Sequence, residues 1–211
     1  MAVFLDSADV EDVRQAMALG FVAGVTTNPT LIAQVGREGL DVLRDILSIT
    51  TGPVFYQVTA ETVEGRTAQA RQAAAMAPDR VFVKIPATTE NLTMAARLVS
   101  EGIQCAITAV SHPSQAYLAA MAGAAYAILY VNRLTRQLGD GIAVLRDCAA
   151  LLRSTPTRVL AASLKSVDEV AAALLGGAQD VTIPLGLILK MGEHELSHQA
   201  IADFAAALAE R

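Results

Sequence analysis

The sequence predicts an α/β protein, a single-domain (β/α)8 TIM barrel with an extra C-terminal helix, and three observations carry that prediction. Short apolar runs recur at intervals of roughly 20 to 30 residues. Each is followed by an Ala- and Leu-rich segment with helical period, the signature of repeated βα units. Eight such runs share 211 residues, close to the lower end of the range of about 200 to 400 residues for such barrels, so the loops must be short.

Taken in order, the strands are expected at 2–6, 22–26, 54–58, 81–85, 104–108, 126–130, 159–162 and 181–184. The fourth, Val81-Phe82-Val83-Lys84-Ile85-Pro86, is apolar at nearly every position, as in a parallel strand buried on both faces. Helices are expected at 9–19, 30–49, 63–76, 91–100, 115–122, 141–152 and 167–175. Gly20, Gly102, Gly123 and the pair Gly176-Gly177 stand where helices should stop. Ser166 with Glu169 three residues on reads as a capping box opening the helix after strand seven. The segment 195–211 repeats apolar residues at helical spacing and lies beyond the eighth helical position. Its stripe of Phe204, Ala205 and Leu208 covers the barrel or reaches a neighbouring subunit, so a homo-oligomer is expected. No linker, charge block or shift of composition divides the chain, and residues 1–211 read as one domain.

The hydrophobic content of 53% suffices for one sizeable core. A net charge of −5 argues against nucleic acid as a partner, so an anionic ligand must be met by a few local cations. Neither a basic leader with an apolar run nor a stretch of about 18 apolar residues is found, so no membrane partner is expected and the location is read as cytoplasmic. Cys105 and Cys148 lack metal-like spacing and read as buried thiols.

Chemistry is expected where the strands end, because barrel active sites lie at the carboxyl face. Asp6 ends strand one, Thr26, Thr27 and Asn28 follow strand two, and Gln57 lies on strand three. Lys84 ends strand four and Thr108 strand five; strand six supplies Tyr130, Asn132 and Arg133, and strand seven Ser163. Burial of Lys84 lowers an amine's pKa and frees the neutral nucleophile for attack on a carbonyl. Singly, each residue has a structural use: Asp6 and Asn28 can cap, Thr108 can satisfy backbone, Tyr130 can fill core, Lys84 can snorkel. Jointly they are costly as mere structure, since each unpartnered buried polar group costs about 1 to 3 kcal/mol.

Three stretches carry a family resemblance: Gly24-Val25-Thr26-Thr27-Asn28-Pro29, Val83-Lys84-Ile85-Pro86 and Leu160-Ala161-Ala162-Ser163. Over essentially its whole length the chain resembles the transaldolase family, in its small-subunit branch, which holds both compact transaldolases and fructose-6-phosphate aldolase. The resemblance implies a class I Schiff-base mechanism without metal or other cofactor, with Lys84 as the imine-forming lysine and a sugar phosphate or ketose as partner. It implies rings of five, paired into decamers. It puts Asp6, counted with the catalytic residues, and Asn28 on the ketose hydroxyls, Arg133 with Ser163 on a phosphate, and Thr26 among the substrate-binding residues. Lys165, next to these, reads as a solvated surface lysine.

Two positions separate the branches. Transaldolases of the family carry a glutamate on strand three and a phenylalanine on strand six, where this sequence has Gln57 and Tyr130, the pattern resembling fructose-6-phosphate aldolase. Glutamine cannot titrate, so the proton work falls to the phenol, helped by a water held between Gln57, Thr108 and Tyr130, with a protonated amine nearby to lower the phenol's pKa. Ser111 and Ile128 depart from the family pattern. The expected activity is therefore aldol cleavage and formation of fructose 6-phosphate, with transfer of a dihydroxyacetone unit as the alternative. Two other classes compete: a sugar-phosphate-binding barrel with an unreactive Lys84, and a zinc hydrolase suggested by His194-Glu195-Leu196-Ser197-His198. A catalytic zinc needs a third protein ligand, for which only Asp203 and Glu210 follow.

Overall fold

The structure, a computed structural model, describes residues 1–209. Its strands are β1 (Ala2–Asp6), β2 (Val22–Thr26), β3 (Val54–Gln57), β4 (Val81–Pro86), β5 (Cys105–Thr108), β6 (Tyr126–Tyr130), β7 (Arg158–Ala162) and β8 (Asp180–Ile183). All neighbours pair in parallel, and β1 pairs with β8 to close the barrel. The helices are α1 (Val10–Ala18), α2 (Pro29–Val35), α3 (Gly39–Ile49), α4 (Val63–Met76), α5 (Thr89–Ser100), α6 (Pro113–Met121), α7 (Val131–Leu138), α8 (Gly141–Leu152), α9 (Val167–Leu175), α10 (Leu185–Met191) and α11 (Glu195–Ala209).

The eight strands and the alternation with helices agree with the sequence reading; one helical expectation needs correction, and two helices, α7 and α10, were not expected. The single helix expected at 30–49 is two, because Gly36 adopts a left-handed φ of 65° that ends α2. α7 starts directly on the last residue of β6, which serves as its N-cap, so no polar break announced it. α10 follows Pro184 in the same way, inside an apolar run. The last two residues of the C-terminal helix expected at 195–211 lie outside the described residues.

Alternation along each strand builds the barrel in two shells. One set of residues, such as Val81, Val83 and Ile85 of β4, packs outward against the helices. The other points inward, where Phe4, Phe55, Ala106 and Leu160 of the odd strands meet Tyr126 and Ile128, with Phe82 against them. Phe55 is stacked on Phe82 at 4.9 Å and meets Tyr126 edge-on at 5.1 Å. This aromatic plug fills the barrel below its carboxyl mouth. Two residues further along the same strands stand Asp6, Gln57, Lys84, Thr108 and Tyr130, so the pleat that points the aromatics inward points these polar groups into the mouth. Gly24 permits close approach of the loop before β3, since a Cβ there would lie 2.1 Å from the Pro53 carbonyl oxygen.

Candidate active site

A cavity of about 500 Å3 opens at the carboxyl end of the barrel, within the range for small-molecule sites. Lys84 enters its floor from β4 and is only 4% exposed. Its Nζ donates to the Thr27 carbonyl at 2.8 Å, which draws the amine toward the carboxyl end of β2. Burial depresses the amine's pKa to about 8, opposed by the Asp6 carboxylate. The expectation of a buried, softened amine therefore holds at Lys84.

Asp6 lines the cavity from β1. Burial raises its carboxyl pKa, and the charges of Lys84 and Lys165 and hydrogen bonds from Thr26 and Asn28 pull the other way. Thr26 Oγ1 donates to Asp6 Oδ1 at 2.8 Å and lies 2.6 Å from Thr182 Oγ1. Thr26 itself does not line the cavity; contrary to its placement among substrate-binding residues, it acts from behind Asp6. Asn28 caps α2 by accepting from the Leu31 amide, which turns its amide group toward the cavity residues.

On the other side, Thr108 Oγ1 donates to the Tyr130 phenol at 2.8 Å. Gln57 Oε1 is buried and meets no donor among the described residues. The phenol's pKa is raised, not lowered as expected. Burial dominates, while the Thr108 hydrogen bond and the Arg133 charge only moderate it and the Asp6 charge adds to it. At the rim, the Arg133 guanidinium stacks 4.8 Å from the centre of the Tyr130 ring. It has no carboxylate partner among the described residues. Ser163 and Ala109, directly after β7 and β5, hold left-handed φ of 59° and 56°, and both line the cavity. Such backbone in a residue with a Cβ costs about 1 to 3 kcal/mol and is tolerated where surrounding structure fixes it, commonly at functional sites.

The sequence profile of the family described as Transaldolase/Fructose-6-phosphate aldolase matches residues 3–211. The chain belongs to this family. A relative from Agathobacter rectalis, named "Probable transaldolase", is 40% identical over 98% of this chain and 96% of its own. One from Symbiobacterium thermophilum with the same name is 37% identical over 97% of this chain and 95% of its own. Among solved structures, inosine 5' monophosphate dehydrogenase from Legionella pneumophila superposes with a TM-score of 0.64 at 16% identity, over 89% of this chain and 58% of that one, a likeness of barrel fold alone.

In this transaldolase/aldolase chain the structure thus gathers Asp6, Asn28, Gln57, Lys84, Thr108, Tyr130, Arg133 and Ser163 around one cavity. The sequence reading missed Thr182 and Ala109 as lining residues. Thr182 was legible as the inward-facing residue near the end of β8, whereas nothing in an alanine signals its left-handed backbone. Lys165 is exposed, as expected of a surface lysine, but also borders the cavity beside Ser163. Ile128 is buried in the aromatic plug and Ser111 is exposed, its amide donating to Gln115, so neither departure touches the cavity floor. At the H-E-x-x-H stretch, His194 Nδ1 accepts the Leu196 amide and His198 pairs with Glu193 at 2.5 Å. Among the described residues no cluster of three potential ligands forms, and Glu210 lies outside them.

Proposed function

We propose that this member of the family is a class I aldolase that cleaves and forms fructose 6-phosphate through an imine on Lys84. The observation that carries the reading is a buried amine with a pKa near 8 on the floor of a cavity rimmed by Arg133, Ser163 and Lys165. Neutral Lys84 attacks the ketose carbonyl, and loss of water gives an imine whose protonated form withdraws electrons from the C3–C4 bond. The Asp6 carboxylate takes the proton of the C4 hydroxyl as that bond breaks, glyceraldehyde 3-phosphate leaves, and an enamine remains. Proton return to the enamine carbon through Tyr130 and a water beside Gln57 restores the imine, and hydrolysis releases dihydroxyacetone. The phosphate binds to Arg133, whose fork suits it, with Ser163 and Lys165.

Transfer of the dihydroxyacetone unit to a second aldehyde is the competing reading, and the relatives' name "Probable transaldolase" favours it. Release over transfer rests on Gln57 and Tyr130, since the cavity offers a hydrogen-bonded phenol and no carboxylate on β3. The deciding assay gives the enzyme fructose 6-phosphate with and without erythrose 4-phosphate. Glyceraldehyde 3-phosphate formed without the acceptor supports the aldolase; its appearance only with the acceptor makes the protein a transaldolase. We place the reaction in the cytoplasm, in keeping with two free, buried cysteines whose thiols burial pushes up to about 12, and in a homo-oligomeric ring, for which the bare face of α11 is the support.

A further inference from the structure

Glu169 does not do what its sequence position suggests. In a capping box its carboxylate would reach back to the Ser166 amide. Ser166 does cap α9, accepting the Glu169 amide at 3.1 Å, but the carboxylate turns elsewhere. One oxygen accepts the Lys165 amide at 2.7 Å, and the other accepts the side-chain amide of Asn132 at 2.7 Å. Asn132 sits on α7 next to Arg133, and its own amide donates to the Ser163 carbonyl at 3.2 Å.

We infer that Glu169 is a positioning residue for the anion end of the cavity, clasping the loop after β7 to the start of α7 so that Ser163, Lys165 and Arg133 face one phosphate. The inference rests on the phosphate reading above. Three features carry it. The two bonds are short and charge-assisted, and they join the two segments that supply the rim cations Arg133 and Lys165. A carboxylate beside an anion site would weaken binding by repulsion, yet both oxygens here are occupied by N–H donors, so geometry is what the charge supplies. Ser163 holds a left-handed backbone without being glycine, and such a conformation needs neighbours that fix it; without the clasp, the hydrogen bond left between it and α7 among the described residues is the 3.2 Å backbone bond from Asn132.

The test compares Glu169→Ala, Glu169→Gln, Asn132→Ala and the double alanine variant, with Arg133→Ala as control. In Glu169→Ala the KM for fructose 6-phosphate should rise about tenfold, the scale of one charge-assisted hydrogen bond, with kcat changed less than about twofold. KM for dihydroxyacetone in synthesis with unphosphorylated glyceraldehyde should stay within about twofold, and inorganic phosphate should inhibit that reaction about tenfold more weakly. Glu169→Gln keeps one acceptor and should recover part of the loss. The double variant should be no worse than Glu169→Ala, because both changes open one clasp. Equal losses with both substrate types, unaltered phosphate inhibition, or multiplying effects in the double variant would overturn the inference. Should Glu169→Ala fail to fold, Asn132→Ala opens the clasp from the α7 side and is read in the same way. If Arg133→Ala leaves phosphate inhibition unchanged, the phosphate reading falls and the inference with it; if Arg133→Ala weakens inhibition and the clasp variants do not, only the inference falls.

Discussion

Thr108 donates its hydroxyl proton to the phenol oxygen of Tyr130. The phenol's own proton is thereby left to point at whatever occupies the cavity, which makes Tyr130 a donor, and its raised pKa keeps that proton in place until it is needed. Tyr130→Phe should therefore lower kcat for fructose 6-phosphate cleavage by about 100-fold, the usual scale for loss of an acid-base group. Thr108→Val should cost about tenfold or less, since the phenol remains but loses a hydrogen bond that stabilises its ionised form. Steady-state cleavage assays check both, and a Tyr130→Phe enzyme within threefold of wild type would remove the phenol from the proton path.

Gln57 pairs in register with Lys84 on neighbouring strands, so any titratable group placed at 57 sits beside the Lys84 amine. Gln57→Glu should move the enzyme toward transfer, raising by about tenfold the ratio of erythrose 4-phosphate-dependent to acceptor-independent glyceraldehyde 3-phosphate formation. An unchanged ratio would detach reaction choice from this position.

The pH dependence follows from Lys84. With its pKa lowered to about 8, the amine is mostly protonated below that value and mostly neutral above it. Only the neutral form attacks a carbonyl, so the initial rate of borohydride trapping with dihydroxyacetone should rise about tenfold per pH unit below pH 8 and level off above it. Mass mapping should find the adduct on Lys84. An adduct on Lys165 or Lys190, or a trapping rate that still climbs steeply to pH 10, would show that burial has not prepared this amine.

How much of this was legible in the sequence depended on period. The polar residues Asp6, Gln57, Lys84, Thr108 and Tyr130 were found because each stands at or near the end of an apolar strand, and a period of two then fixes their common direction. What failed was whatever depends on contacts between distant segments. Thr26 looked like its neighbour Asn28 but is turned to Asp6 and Thr182, a choice made by strands β1 and β8 closing beside it. The direction of the Tyr130 shift was misjudged because burial outweighs neighbouring charges, and burial belongs to the folded barrel. The destination of the Glu169 carboxylate likewise depends on Asn132, 37 residues away.

At the opposite end of the barrel Asp180 binds Arg158 with two bonds of 2.7 Å and accepts the Ala2 amide at 2.6 Å. These are the first residues of β8, β7 and β1, so the cluster fastens the seam of closure far from the cavity. Asp180 is fully buried while the Arg158 side chain is 41% exposed, so removing the carboxylate strands one solvated cation and one amide rather than two buried charges. Asp180→Ala should then cost about 2 kcal/mol, below the figure for a fully buried pair, and lower Tm by about 4 to 8 °C for a chain of this size. Activity per folded molecule should persist. A drop in kcat with Tm unchanged would contradict this assignment.

α11 is the one described helix longer than a dozen residues with no buried side chain. Leu196, Ile201, Phe204 and Leu208 are each about two-thirds exposed or more, at 66 to 72%. Isolated helices of about 12 to 15 residues are marginal in water, so α11 needs a surface to pack on, and burying each large apolar side chain would contribute about 1.5 to 3 kcal/mol. The barrel of its own chain does not supply that surface. A second copy of the chain would do so without any other component, as closed homo-oligomers commonly do, and this is the outcome we expect. Light scattering should give a mass several times the 22.1 kDa of one chain. Phe204→Asp combined with Leu208→Asp should shift that mass toward the monomer while leaving the barrel folded, because neither side chain touches the core. A wild-type monomer at micromolar concentration would mean that α11 is covered by something other than its own kind.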